Sequence, residues 1–252
     1  MYIMDSTTIF ISSAQCTAKS AIGSTITIDL KNPIDTYGKH LRVLSSSFWY
    51  SFPNVSENLG NQTIKFTYNS VVHTLTLPKG IYSLTDIMET VGEQLETLGL
   101  DKDLFTLIPD EATAKVTMKV KPAYLFVMTM SDPLNVLFAD YLGFTDVCLT
   151  PAATVFYYES TNRAALNLHN ALYINCSIAT GNYFNERSGS NIIATVPLNR
   201  APNTLIYTEN SIPVVSKSTG SLVSKFQLWI TDENSALLDM GGEDWTLVLD
   251  IF

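Results

Sequence analysis

Polar and apolar positions alternate at both ends of the chain, and one helical stripe interrupts them in the middle. Thr7-Thr-Ile-Phe-Ile-Ser-Ser13 and Ser24-Thr-Ile-Thr-Ile-Asp-Leu30 repeat with a period of two, the mark of half-buried strands. Asn32-Pro33 is expected to end the second strand, because proline gives no N–H to a ladder. Leu41–Tyr50 predicts a longer strand that closes on the aromatic run Phe48-Trp49-Tyr50-Ser51-Phe52. The Pro, Asn and Gly of Ser51–Asn61 predict a loop.

The pattern then changes. Gln62–Tyr68 and Val71–Leu77 predict a hairpin turned by Asn69-Ser70. In Leu77–Leu100 the apolar residues Leu84, Ile87, Met88, Val91, Leu95 and Leu98 recur at helical spacing, which predicts one buried stripe. Ser83 is placed to cap the N-terminus, Asp86 sits near its positive end, and Gly99 suits the C-terminal cap. Leu104–Pro109 and Ala114–Val120 predict a strand pair, Ala123–Met130 a strand, and Pro133–Tyr141 a short helix. Strands resume over Ala171–Ile178, Ile192–Pro197, Thr204–Tyr207, Ser221–Thr231 and Trp245–Ile251. Short strands with turn residues at this spacing predict a mainly β protein, a sandwich or jelly roll. Residues 1–60 and 145–252 are assigned to the sandwich, and 61–144 to a small inserted α+β subdomain.

Composition narrows the functional classes. Charged residues make up only 15% of the 252 residues, against about 25% in an average globular domain. Such a surface fits either an ordinary neutral coat of Ser, Thr and Asn or contact with neighbouring copies. A net charge of −9 argues against a broad nucleic-acid face. The densest basic segment, Lys115–Lys121, reads as one face of a strand. Cys16, Cys148 and Cys176 lie far apart, with no zinc spacing and an odd count. They read as small buried residues of a reducing compartment. The opening Met-Tyr-Ile-Met-Asp has no basic stretch followed by an apolar run, so no secretory signal is expected. No apolar stretch approaches the ~18–20 residues of a membrane span. On that basis the Asn-x-Ser/Thr triplets at Asn54, Asn61 and Asn175 carry no glycosylation expectation.

Chemistry has few footholds. His40, His73 and His169 have no local nucleophile to serve, and no phosphate-binding glycine loop occurs. No catalytic, cofactor-binding or metal site is therefore expected. Asp239-Met-Gly-Gly-Glu-Asp244 offers three carboxylates around a double glycine, but the spacing matches no calcium loop and reads as a tight turn. The aromatics Phe48, Trp49, Tyr50 and Phe52, with Tyr157, Tyr158, Tyr183 and Phe184, are candidate interface residues. Core packing and a sugar-stacking platform are the other uses of such a cluster.

Five segments in order carry a family resemblance: Leu30-Lys-Asn-Pro-Ile-Asp35 with Val43-Leu-Ser-Ser-Ser-Phe-Trp-Tyr-Ser-Phe-Pro-Asn54; Leu77-Pro-Lys-Gly-Ile-Tyr-Ser-Leu84 with its helix; Tyr141-Leu-Gly-Phe144; Ile193-Ala-Thr-Val-Pro-Leu-Asn199 with Leu205-Ile-Tyr207; and Leu238-Asp-Met-Gly-Gly-Glu-Asp-Trp-Thr-Leu247. Together they span nearly the whole chain, and their order resembles the penton, or minor capsid, proteins of Polinton-like viruses, virophages and adintoviruses. The resemblance implies a single jelly roll, five copies of which close a ring at each icosahedral vertex of the virion. The implied partners are the chain itself, as a homopentamer, and trimers of a double jelly-roll major capsid protein. It brings no catalytic residue, cofactor or metal. Two other classes stay open: a β-sandwich recognition head for a glycan or receptor, with its site near Phe48–Phe52 or at a loop cluster, and a hydrolase using paired carboxylates on the same scaffold.

Overall fold

The computed structural model describes residues 6–121, 125–145, 148–149, 156–166, 169–180, 182–184, 187–210 and 213–252, with the backbone alone over 148–149, 182–184 and 187–190. The strands in chain order begin with β1 (Thr7–Ser12), β2 (Ala18–Lys19), β3 (Thr25–Asp35), β4 (His40–Trp49), β5 (Thr63–Tyr68) and β6 (Val71–Thr76). Helix α1 (Leu84–Thr97) follows, then β7 (Phe105–Asp110), β8 (Lys115–Val120), β9 (Phe126–Thr129), β10 (Cys148–Leu149) and β11 (Phe156–Glu159). The remaining strands are β12 (Ala171–Cys176), β13 (Ala179–Thr180), β14 (Asn182–Phe184), β15 (Arg187–Ser190), β16 (Ile192–Pro197), β17 (Leu205–Glu209), β18 (Ser216–Ser218), β19 (Leu222–Thr231) and β20 (Thr246–Ile251).

The chain divides into two compact units, one of Met1–Phe52 with His169–Phe252, the other of Pro53–Leu168. The second is wider than the segment 61–144 outlined by the sequence pattern. One reason is that β11 pairs with β8 along Phe156–Glu159. The other is that Asn54 holds Tyr82 at one end of this unit: its Oδ1 accepts from the Tyr82 N–H at 2.8 Å.

The first unit is a sandwich of two antiparallel sheets. One runs β1-β20-β4-β17, with β18 and β13 continuing beside the other half of β4. The second runs β16-β12-β19-β3-β2. Counting only the eight long strands of this unit in chain order, the sheets read 1-8-3-6 and 5-4-7-2. That interleaving of first with last strand is the jelly-roll arrangement, two Greek keys wound together. The inner faces meet in one core that includes Ile26, Leu41, Val43, Phe48, Ile174, Phe226, Leu228, Trp245 and Leu249.

Pro33 does not end its strand, contrary to the sequence expectation; β3 runs on to Asp35. The register against β19 jumps from Asp29 opposite Lys225 to Ile34 opposite Val223. Pro33 lies in that bulge, where no ladder N–H is required.

The second unit packs its own core of Val55, Ile64, Phe66, Ile87, Val91, Leu95, Phe105, Met118, Phe126 and Phe138, among others. Sheets β10-β9-β5-β6 and β11-β8-β7 contribute to it together with α1. The helix carries a full capping box, with the Ser83 hydroxyl accepting from Asp86 N and the Asp86 carboxylate accepting from Ser83 N. Its other end is a Schellman turn: Gly99 N donates to Glu96 O and Leu100 N to Leu95 O, with Gly99 at φ +73°. Ile87, Val91 and Leu95 are buried as the stripe predicts, but Leu98 is exposed because the helix has ended there.

Candidate subunit interface

Of the eight aromatics singled out by sequence, the six whose side chains are described divide between core and surface. Phe48 is fully buried and stacks on Trp245 with ring centroids 5.8 Å apart, while Tyr50 and Phe52 are buried and pack together at 5.5 Å. Phe48, Tyr50 and Phe52 are thus core residues of the sandwich and cannot touch a neighbour without opening the core. The same burial removes Phe48, Tyr50 and Phe52 from a sugar-stacking platform and leaves Trp49 as the exposed ring of that segment. It also raises the Tyr50 phenol above its ordinary pKa, since desolvation disfavours the phenolate. Trp49, between them in sequence, faces outward at 43% exposure. In the second unit, Tyr157 is exposed with Lys119 Nζ 5.8 Å from its ring centroid, whereas Tyr158 is half-buried against Phe144 at 5.6 Å. The side chains of Tyr183 and Phe184 lie outside the described residues.

Trp49 belongs to an outer sheet face that the sequence reading did not assemble. Phe10 on β1 is 81% exposed, Tyr207 on β17 64% and Leu205 48%. Registers place these on one surface: Phe10 opposite Val248, Leu205 opposite Trp49, and Tyr207 opposite Ser47. Serine and threonine fill much of the rest, including Ser45, Ser47 and Thr246. An ion pair is embedded there, and Glu209 stands on the same face at the end of β17. Asp250 is buried under Arg42, whose guanidinium lies 2.9 Å from its carboxylate and 4.3 Å from the Phe252 ring, and Thr8 donates to the other carboxylate oxygen. The signal was present in the sequence. In Thr8-x-Phe10-x-Ser12 an aromatic occupies the polar register of an alternating strand.

The acidic loop 239–244 is a turn in which Asp239 and Asp244 are engaged by the protein itself. Asp239 accepts from Gly241 N, and Asp244 accepts from the Ser13 hydroxyl at 2.9 Å and the Lys19 ammonium at 2.7 Å. These bonds hold the Asp244 carboxyl below its usual pKa, the lysine contributing most. A side chain at Gly241 would meet Ser51 O at 3.0 Å, and its φ of +62° favours glycine. His40 packs on Phe252 and His73 on Phe66, and His169 lies 3.6 Å from Glu233. Among the described residues no three His, Cys, Asp or Glu side chains gather in a way that could hold a metal ion, and no helix is long and apolar enough to cross a membrane. Cys176 is buried, which pushes its thiol up to about 12, and Cys16 is half-exposed; the side chain of Cys148 lies outside the described residues.

No protein-family model matches the sequence, and no curated protein matches it. Among solved structures, the chain is similar to the mavirus penton protein, with 11% identity, 99% of each chain covered and a TM-score of 0.49. It is also similar to a chain of the Sputnik virophage, with 11% identity, 99% of this chain and 98% of that one covered, and a TM-score of 0.46.

Proposed function

We propose that the chain is a structural capsid protein whose copies form homopentamers at the five-fold vertices of an icosahedral virion, bordered by trimers of a double jelly-roll major capsid protein. The observation that carries this reading is the outer face of the sheet β1-β20-β4-β17 on a jelly-roll frame. It presents Phe10, Trp49, Leu205 and Tyr207 to solvent on a surface otherwise poor in charge. Large apolar side chains exposed together on one sheet face, here at both of its margins, mark a contact surface. The ordered sequence segments that resemble vertex proteins supply the geometry, a closed ring in which each copy offers one patch to a different patch on the next. The function is binding and closure, so the chain needs no turnover chemistry.

Light scattering on a size column tests the reading. The expected species has five times the 27.9 kDa chain mass, or approaches it as concentration rises. A strict monomer at every accessible concentration, both alone and with the major capsid trimers, would overturn it.

A further inference from the structure

We propose that the contact between copies is a continued β-sheet, in which the β1 edge of one copy pairs antiparallel with the β17 edge of the next. This rests on the ring reading above and specifies its interface.

Two edges of one sheet are left open among the described residues. Among the described residues, β1 pairs only with β20 and β17 only with β4. Edge strands are normally blunted by charge, proline, bulges or brevity. The other sheet of the sandwich shows such devices: its edge β2 has only two residues, one of them Lys19, and its edge β16 ends in Pro197. By contrast β1, Thr-Thr-Ile-Phe-Ile-Ser, carries no charge and no proline, and its register with β20 is unbroken. Strand β17, Leu-Ile-Tyr-Thr-Glu, pairs with β4 without a bulge and has its one charge at the end.

The two edges also match in hydrogen-bond parity. Ser13 N donates to Trp245 O, extending the β1–β20 register. Antiparallel alternation then turns the N–H and C=O groups of Thr8, Phe10 and Ser12 away from β20. On the other side, Tyr50 N donates to Thr204 O and Asn210 N to Leu44 O. The even-numbered residues of β17 therefore bond to β4, and the backbone groups of Leu205, Tyr207 and Glu209 face outward. On both edges the residues with open backbone groups carry outward-facing side chains on the same sheet face.

Polarity agrees as well. Every neighbouring pair in β1-β20-β4-β17 is antiparallel, so β1 and β17 run in opposite directions. A second copy set beside β17 in the same orientation presents its β1 antiparallel. The register that sets Phe10 opposite Tyr207 also sets Thr8 opposite Glu209 and Ser12 opposite Leu205. It makes one aromatic cross-strand pair and one hydroxyl–carboxylate pair. Because the two edges differ, the contact is heterologous, as ring closure requires.

Cysteine cross-linking tests this in a background carrying both Cys16→Ser and Cys148→Ser. Phe10→Cys protein mixed with Tyr207→Cys protein is expected to form the mixed disulfide on oxidation, and neither alone to form a symmetric one. Phe10→Lys and Tyr207→Lys, both at exposed positions, are expected to lose assembly while keeping the wild-type circular dichroism and melting temperature. Assembled wild-type rings without the mixed cross-link would overturn the edge pairing and leave the ring reading standing. Symmetric Phe10→Cys dimers would overturn it in favour of a two-fold contact. Absence of both ring and cross-link would overturn both proposals.

Discussion

At the residue scale, strand parity decides which aromatics are structural. Phe48 and Trp49 are adjacent, but one fills the core against Trp245 and the other faces water. Phe48→Ala is therefore expected to cost about 3–5 kcal/mol of folding stability, as large-to-small core changes do. Trp49→Ala should change it by no more than about 0.5 kcal/mol, the range of ordinary surface changes. Urea titration of the two variants checks this, and equal losses would contradict the assignment. The three Asn-x-Ser/Thr asparagines have a structural use. Asn61 is fully buried, donates to Asn54 O and accepts from Ser56 N; Asn54 donates to Tyr82 O; Asn175 donates to Tyr173 O. Asn54 and Asn61 satisfy backbone groups of the loops around them, and Asn175 adds a side-chain bond to the backbone of its own strand β12.

At the element scale, the helix is fixed by its ends as much as by its stripe. The Asp86 carboxyl is held below its ordinary pKa by the Ser83 hydroxyl and, after it, the Ser83 backbone N–H. A carboxylate with a depressed folded pKa stabilises the fold above its unfolded value, about 3.9, and loses that effect as pH falls through the folded value. The Asp86→Asn variant should therefore melt below wild type at pH 7, and the gap should close as pH falls through the lowered folded pKa. A gap that persists unchanged in acid would show that the carboxylate charge is not what the cap uses. The second element device is Gln94, whose side-chain amide accepts from Thr76 N at 3.0 Å and donates to Thr76 O at 2.8 Å. A glutamine on the helix thus takes the place of a neighbouring strand at that point of the β6 edge.

At the scale of the whole molecule, each unit has a core of its own, one around Phe48 and Trp245, the other around Phe66, Phe105 and Phe126. The ring stack Phe66–Phe126 at 5.3 Å and its edge contact with Phe105 at 5.7 Å lie wholly within the second unit. A fragment spanning residues 53–168 is therefore expected to unfold cooperatively in urea on its own. A fragment without a cooperative transition would mean that its core depends on the rest of the chain.

Local chemistry was enough to make many of these features legible in the sequence. Period-two alternation marks β1 and β3, and the apolar and aromatic run Leu41–Tyr50 marks β4; the turn residues Asn69-Ser70, at φ 50° and 62°, mark the β5–β6 hairpin; Ser83, Asp86 and Gly99 bracket α1. Tertiary structure decided what local pattern could not. The passage of β3 through Pro33 depends on a bulge opposite β19, almost two hundred residues further along. The strand character of Phe156–Glu159 depends on its partner β8. Whether an aromatic is core or surface depends on which sheet face its parity meets, and a face exists only once strands distant in sequence have paired. For the same reason the two open edges, β1 and β17, became visible as a matched pair only when the order β1-β20-β4-β17 was known.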